Sequence, residues 1–130
     1  MAEMTKTRPK FLSLAEIRLP VPGFVSILHR VSGAGLFLAL PFLLCLLQLS
    51  LGTAENFESF KAIVGNPLAK LALFGLCWAY LHHFCAGVRH LWMEMTHSVS
   101  KEQGKSSAAV SFGVSLLLTV ALAARLFGLF

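Results

Sequence analysis

Three apolar stretches in this sequence are each long enough to cross a lipid bilayer. They run from about residue 23 to 51, from about 67 to 95 and from about 106 to 130. A helix needs about 20 mostly apolar residues to span the hydrocarbon core. We therefore predict an all-α membrane protein with three transmembrane helices, built as one membrane-anchor domain over residues 1–130.

The composition agrees with a membrane protein and argues against a nucleic-acid partner. The chain is 56% hydrophobic and only 13% charged, whereas a soluble domain carries about twice that charged fraction. The net charge is +5, but the basic residues lie mostly at the edges of the apolar stretches and form no patch with interleaved aromatic residues. Their positions indicate membrane topology, with lipid as the surrounding partner.

The distribution of lysine and arginine predicts that the N-terminus lies in the cytoplasm and the C-terminus outside. The segment 1–22 is polar and has neither a secretory signal nor a transit-peptide pattern, so we expect the bacterial cytoplasmic membrane. With this orientation the cytoplasmic side carries Lys6, Arg8, Lys10, Arg18, Arg30, Arg89, Lys101 and Lys105, and the other side carries Lys61, Lys70 and Arg125.

Local signals refine the boundaries of the three helices. Asn66 and Pro67 have the pattern of a helix N-cap followed by proline at the first helical position. Ser13 and Glu16 have the spacing of a capping box, which indicates a short surface helix at residues 14–19. The stretch from about 52 to 66 is expected to be an external loop, and 96–105 a cytoplasmic one.

The second apolar stretch contains YLHHFCAGVRHLW, which is unusually rich in ionisable residues for a membrane helix. His83 and His90 are seven residues apart and lie within about 20° on one helix face, with Gly87 between them. Glycine there leaves room for a flat group such as haem, and neutral imidazole is a usual ligand of haem iron. Two histidines on the same face cannot bind opposite sides of one iron, so the second ligand must come from another helix.

Other residues of these stretches are assigned to packing or to the surface. His82 lies about 100° away from the His83 face, and Arg89 also lies off it. His97 follows the helix end and is expected to be solvated. The three cysteines are expected to pack as small hydrophobic residues, because no metal-site or c-type haem spacing is present; they are Cys45, Cys77 and Cys85.

A second polar group stands at the start of the first helix, in the sequence SILHR. Ser26, His29 and Arg30 have i, i+3 and i+4 spacing and share a face with glycines 23 and 33. Such a face can hold haem propionates at His29 and Arg30, or a quinone head group at Ser26 and Arg30. Alternatively, Arg30 only extends towards lipid phosphates.

The motifs SILHRVSG at residues 26–33 and H-x-x-x-G-x-R-H at residues 83–90 occur together with three helices and an N-terminal RPKFLSL. In this combination the chain resembles the cytochrome b membrane-anchor subunit of succinate dehydrogenase, respiratory complex II. The resemblance covers essentially the whole chain. One departure is Glu94, since the family commonly has aspartate four residues after the second histidine.

The resemblance implies a specific cofactor, substrate and set of partners. His83 would be an axial ligand of a single haem b, and a sister anchor subunit would supply the other ligand and complete the helical bundle. Ser26 and Arg30 would line the ubiquinone pocket, while His29, Arg30 and His90 would lie near the haem propionates. The anchors would carry a flavoprotein subunit that oxidises succinate and an iron–sulfur subunit that relays the electrons.

Two other functions share part of this pattern. An anchor of quinol:fumarate reductase would have the same motifs, because the direction of electron flow depends on cofactor potentials and on the quinone supplied. A non-redox membrane scaffold would share the three helices and the charge distribution, but would not need the face formed by His83, Gly87 and His90.

Overall fold

The computed structural model describes residues 18–97 and 100–126, and these residues form four α-helices without any strand among them. Three of the helices are long and apolar enough to cross a membrane, which confirms the predicted all-α membrane architecture. The capping box at residues 13–16 lies outside the described residues. The helices are α1 (Val21–Leu51), α2 (Ala54–Gly65), α3 (Pro67–Thr96) and α4 (Lys101–Leu126).

The short helix α2 is a departure from the prediction, which treated residues 52–66 as a loop. The Thr53 side chain caps α2 by accepting a hydrogen bond from the Asn56 N–H at 3.3 Å. Within the helix, Lys61 pairs with Glu58 at 2.7 Å. A search for membrane-length apolar stretches passes over such a helix because it is short and carries charges.

Helix α4 begins five residues earlier than predicted, at Lys101. The Ser100 hydroxyl accepts a hydrogen bond from the Gln103 N–H at 3.2 Å, which caps the helix. Its first turn is polar, with the sequence KEQGK, so hydropathy places the start of the span too late. The helix therefore begins before the apolar stretch does.

Helix α3 begins where the sequence predicted. The Asn66 side chain accepts a hydrogen bond from the Leu68 N–H at 2.9 Å, and Pro67 is the first helical residue. The helix ends at Thr96. The next residue, His97, is exposed, has a left-handed conformation (φ 50°) and donates its N–H to the Met93 carbonyl. The predicted surface position of His97 is thus correct.

Helix α3 packs against both α1 and α4 around a narrow core. Val25, Ala86 and Ala108 are fully buried there, one from each long helix, and Phe112 packs against them. Small side chains let the helix backbones approach closely, as is usual between membrane helices. Large apolar residues instead point outward, and Phe37 and Phe42 are about three-quarters exposed. These outward faces suit contact with lipid or with neighbouring membrane helices.

Candidate functional site

Three imidazoles predicted to act together meet where α1 packs against α3. The His29 ring of α1 stacks on the His83 ring of α3 with a centroid separation of 4.2 Å and an interplanar angle of 12°. It also lies 5.2 Å from the His90 ring. The two polar motifs of the sequence, which are more than fifty residues apart, therefore form one cluster.

A hydrogen bond determines that Nδ1 of the His83 ring carries a proton. Its Nδ1 lies 3.0 Å from the His29 backbone carbonyl. A carbonyl oxygen only accepts hydrogen bonds, so Nδ1 carries a proton, and in the neutral imidazole the free lone pair is then on Nε2. This is the usual arrangement of metal-binding histidines, in which one nitrogen donates to the protein and the other binds the metal. The Ser32 hydroxyl donates to the same carbonyl at 3.0 Å.

Gly33 allows the His83 ring to reach the backbone of α1. A Cβ atom at position 33 would lie 2.6 Å from His83 Cε1 and 3.0 Å from Nδ1, which is too close for any side chain. The opposite helix has a milder version of this contact, because a Cβ at Gly87 would lie 3.6 Å from His29 Nε2. The space beside Gly87, which the sequence suggested for a haem edge, is here occupied by the His29 ring.

Replacing Gly33 with alanine should therefore displace the His83 imidazole. Overpacking a tight contact costs about 1–3 kcal/mol, so we expect a lower thermal unfolding midpoint of the purified membrane complex. Gly35→Ala is the matched control, because a Cβ there meets nothing within 4 Å and alanine favours the helix. Equal unfolding midpoints for the two variants would show that the Gly33 contact does not constrain the ring.

Ser26 and Arg30 have polar groups that the described parts of the chain do not engage. Every other described serine and threonine of α1, α3 and α4 donates its hydroxyl to a helix carbonyl, whereas the half-buried Ser26 has no such bond. Arg30 is exposed and has no ion pair or hydrogen bond to the described residues. Both side chains are therefore available to a ligand or a partner.

His82 is a packing residue, as predicted. Its ring is fully buried between Trp78, which stacks on it at 5.6 Å, and Phe112, which meets it edge-on at 5.8 Å. The Val25 backbone lies close to the ring, but neither ring nitrogen has a contact of hydrogen-bond geometry within the described parts of the chain.

Arg89 has a role that the sequence did not reveal. It is off the His83 face, as predicted, and is buried against α4, where Nε donates to the Ser107 hydroxyl at 3.0 Å and Nη2 donates to the Gly104 carbonyl at 3.2 Å. The only signal in the sequence was the small, polar start of α4, GKSS, at the same end of the bundle. Glu94 is exposed beyond the cluster.

Comparison with known proteins identifies the family. Residues 4–122 match the model of the family described as succinate dehydrogenase/fumarate reductase transmembrane subunit. The chain is 36% identical to the succinate dehydrogenase cytochrome b556 subunit of Coxiella burnetii over 90% of this chain and 94% of that one. The proteins of the same name from Rickettsia felis and Paracoccus denitrificans are 28% and 27% identical, over 92% of this chain and 94% and 93% of theirs.

The family match at residues 4–122 covers α1, α3 and most of α4, and the stretch includes the positions of both polar motifs. The name cytochrome b implies haem, and a succinate dehydrogenase subunit is part of an oxidoreductase complex with other subunits. The chain belongs to the succinate dehydrogenase/fumarate reductase transmembrane subunit family, as a cytochrome b membrane-anchor subunit of complex II.

Proposed function

We propose that this chain supplies His83 as one axial ligand of a haem b whose other ligand comes from a sister anchor subunit. The observation that carries the proposal is the hydrogen bond from His83 Nδ1 to the His29 carbonyl, because it leaves Nε2 as the free base. The bound haem would supply a one-electron redox centre between the two anchors. The test is to remove the His83 imidazole and measure the haem absorbance.

The surroundings of His83 fit the acidic edge of a haem. His29 and His90 lie within 5.2 Å of each other, and Arg30 follows His29 in the chain. Imidazole N–H groups and a guanidinium donate hydrogen bonds to carboxylates, and the charge of Arg30 balances that of a propionate. We therefore assign His29, Arg30 and His90 to the propionates. Gly87 lies beside the His29 ring, and its missing side chain would leave room for that imidazole next to the haem edge.

Ser26 and Arg30 form the proposed ubiquinone site. The Ser26 hydroxyl would donate a hydrogen bond to one quinone carbonyl, and Arg30 would stabilise the negative charge that develops on a quinone oxygen during reduction. Both groups have donors without an acceptor among residues 18–97 and 100–126, and they lie one turn apart at the end of α1 that also holds His29. Complete reduction takes two electrons from the soluble subunits and two protons from the adjacent aqueous phase.

The proposed orientation places this site on the cytoplasmic side of a bacterial inner membrane, where an iron–sulfur subunit and a flavoprotein subunit would dock. The excess of lysine and arginine at this end of the spans supports it. The relatives named above are succinate dehydrogenase subunits, which favours succinate oxidation over fumarate reduction. A simple scaffold would have no use for the Gly33 contact, which brings an imidazole against a backbone carbonyl.

Replacing Ser26 with alanine should raise the KM for ubiquinone about two- to tenfold, because one hydrogen bond contributes about 0.5–1.5 kcal/mol. The measurement is succinate-driven quinone reduction by the purified complex. Ser50→Ala is the matched control, since its hydroxyl already bonds to the Leu47 carbonyl near the other end of α1. An unchanged KM in Ser26→Ala would remove Ser26 from the quinone site.

A further inference from the structure

A groove between α3 and α4 is not used by the haem and quinone proposals. It has a volume of about 510 Å³ and opens to the outside of the bundle. Its end near the α3–α4 connection is lined by Arg89, Trp92 and Ser107, and the part farther from this connection along the helices is mostly apolar. The apolar part is lined by Phe84, Cys85, Val88, Val110 and Val114.

Arg89 brings an unbalanced positive charge to this groove. The residue is only 8% exposed, and its two hydrogen bonds go to neutral oxygens of Ser107 and Gly104. A guanidinium has five N–H donors, so three remain without a protein acceptor in residues 18–97 and 100–126. The ion pair found within those residues joins Glu58 to Lys61, far along the chain from Arg89. A buried charge without a counter-ion costs several kcal/mol, so an anion is expected here.

Arg89 lies near enough to the membrane surface for its side chain to reach the phosphate layer. Helix α3 has 30 residues, which gives a length of about 45 Å, while the hydrocarbon core is about 30 Å thick. If the excess is shared between both ends, Arg89, about 10 Å from the end at Thr96, has its backbone about 3 Å inside the hydrocarbon edge. Its side chain reaches towards Gly104, in the first turn of α4, and so towards the headgroups.

We propose that the α3–α4 groove binds an anionic phospholipid, with the phosphate on the free N–H groups of Arg89 and an acyl chain along the apolar wall. A guanidinium pairs well with phosphate, and indole rings such as that of Trp92 favour the membrane interface. The combination of one buried cation at headgroup depth and a long apolar wall beside it has the charge and shape of a single lipid.

The groove faces away from the side where another protein helix is expected. At about 100° per residue, Val88 and Trp92 lie about 140° and 180° around α3 from His83. The sister helix that completes the haem would approach the His83 side, so the groove is left to lipid. The expected position of the sister helix rests on the proposed function, whereas the charge and depth of Arg89 do not.

The test measures lipid retention by the purified complete complex after delipidation. Phosphatidylglycerol or phosphatidylcholine with identical acyl chains is added back, and the bound lipid is counted by native mass spectrometry. We expect the wild-type complex to retain phosphatidylglycerol about tenfold better, and Arg89→Gln to lose this preference, because phosphatidylglycerol has a net negative charge that balances the guanidinium whereas phosphatidylcholine is zwitterionic. Lys105→Gln removes a positive charge from an exposed position outside the groove and should retain the preference.

A second variant keeps the test decisive if Arg89→Gln fails to assemble. Val110→Trp fills the apolar wall while keeping the Arg89 guanidinium, and should also abolish phosphatidylglycerol retention. Retention equal to wild type in Val110→Trp, or a density map with a protein helix in the groove, would overturn the proposal. Haem absorbance is read from the same samples. His83→Ala should alter that absorbance without changing lipid retention, so failure of the haem proposal is distinguished from failure of this one.

Discussion

The complex carrying His83→Ala should lose its reduced haem b absorbance or show it at a shifted wavelength. Alanine offers the iron no ligand atom, and only the ligand of the sister subunit would remain. The His29 ring stacks on His83 at 4.2 Å, so its imidazole is close enough to substitute as a weaker ligand. A shifted band would report this substitution, and we expect the His29→Ala, His83→Ala double variant to bind at least about tenfold less haem.

The measurement is a reduced-minus-oxidised spectrum of the purified complex, normalised to protein. His97→Asn is the matched control, because His97 is exposed and asparagine tolerates its left-handed conformation. Succinate oxidation with an artificial acceptor shows that the soluble subunits are still attached. An unchanged reduced spectrum in His83→Ala would exclude His83 as the iron ligand.

The transmembrane helices were predictable because the bilayer demands a fixed length of apolar residues, which can be counted along the sequence. The start of α3 was also predictable, since the cap and the proline are adjacent in the chain. Helix α2 and the first turn of α4 were missed for the same reason. Helix α2 is short and charged and the first turn of α4 is polar, so a search for long apolar stretches detects neither.

The sequence predicted which residues of the candidate site share a face within each helix, but not the contacts between helices. Helical periodicity placed His83 and His90 on one face and Ser26, His29 and Arg30 on another. Periodicity does not determine the position of one helix along the axis of its neighbour. The stacking of His29 on His83 depends on that alignment of α1 and α3, and so does the contact at Gly33. The hydrogen bonds from Arg89 to α4 could not be predicted for the same reason.

Arg30→Leu should reduce the rate of quinone reduction by at least about 100-fold, while succinate oxidation with an artificial acceptor continues. Removing a donor that stabilises developing negative charge costs about 2.7–4 kcal/mol of transition-state stabilisation. Leucine keeps the apolar stem and removes both the charge and the hydrogen bonds. The two rates are compared in the same purified complex, so that loss of the soluble subunits is detected separately.

Two controls separate the proposed role of Arg30 from a simple interaction with lipid phosphates. Arg30→Lys keeps the charge without the paired N–H geometry of a guanidinium, and we expect an intermediate loss of about tenfold. Arg18→Leu removes an exposed arginine three residues before α1 at the same end of the bundle, and should leave quinone reduction unchanged. If Arg30→Leu instead behaves like Arg18→Leu, Arg30 only anchors the helix at the membrane surface. Ser26 would then have to bind quinone without a charged partner.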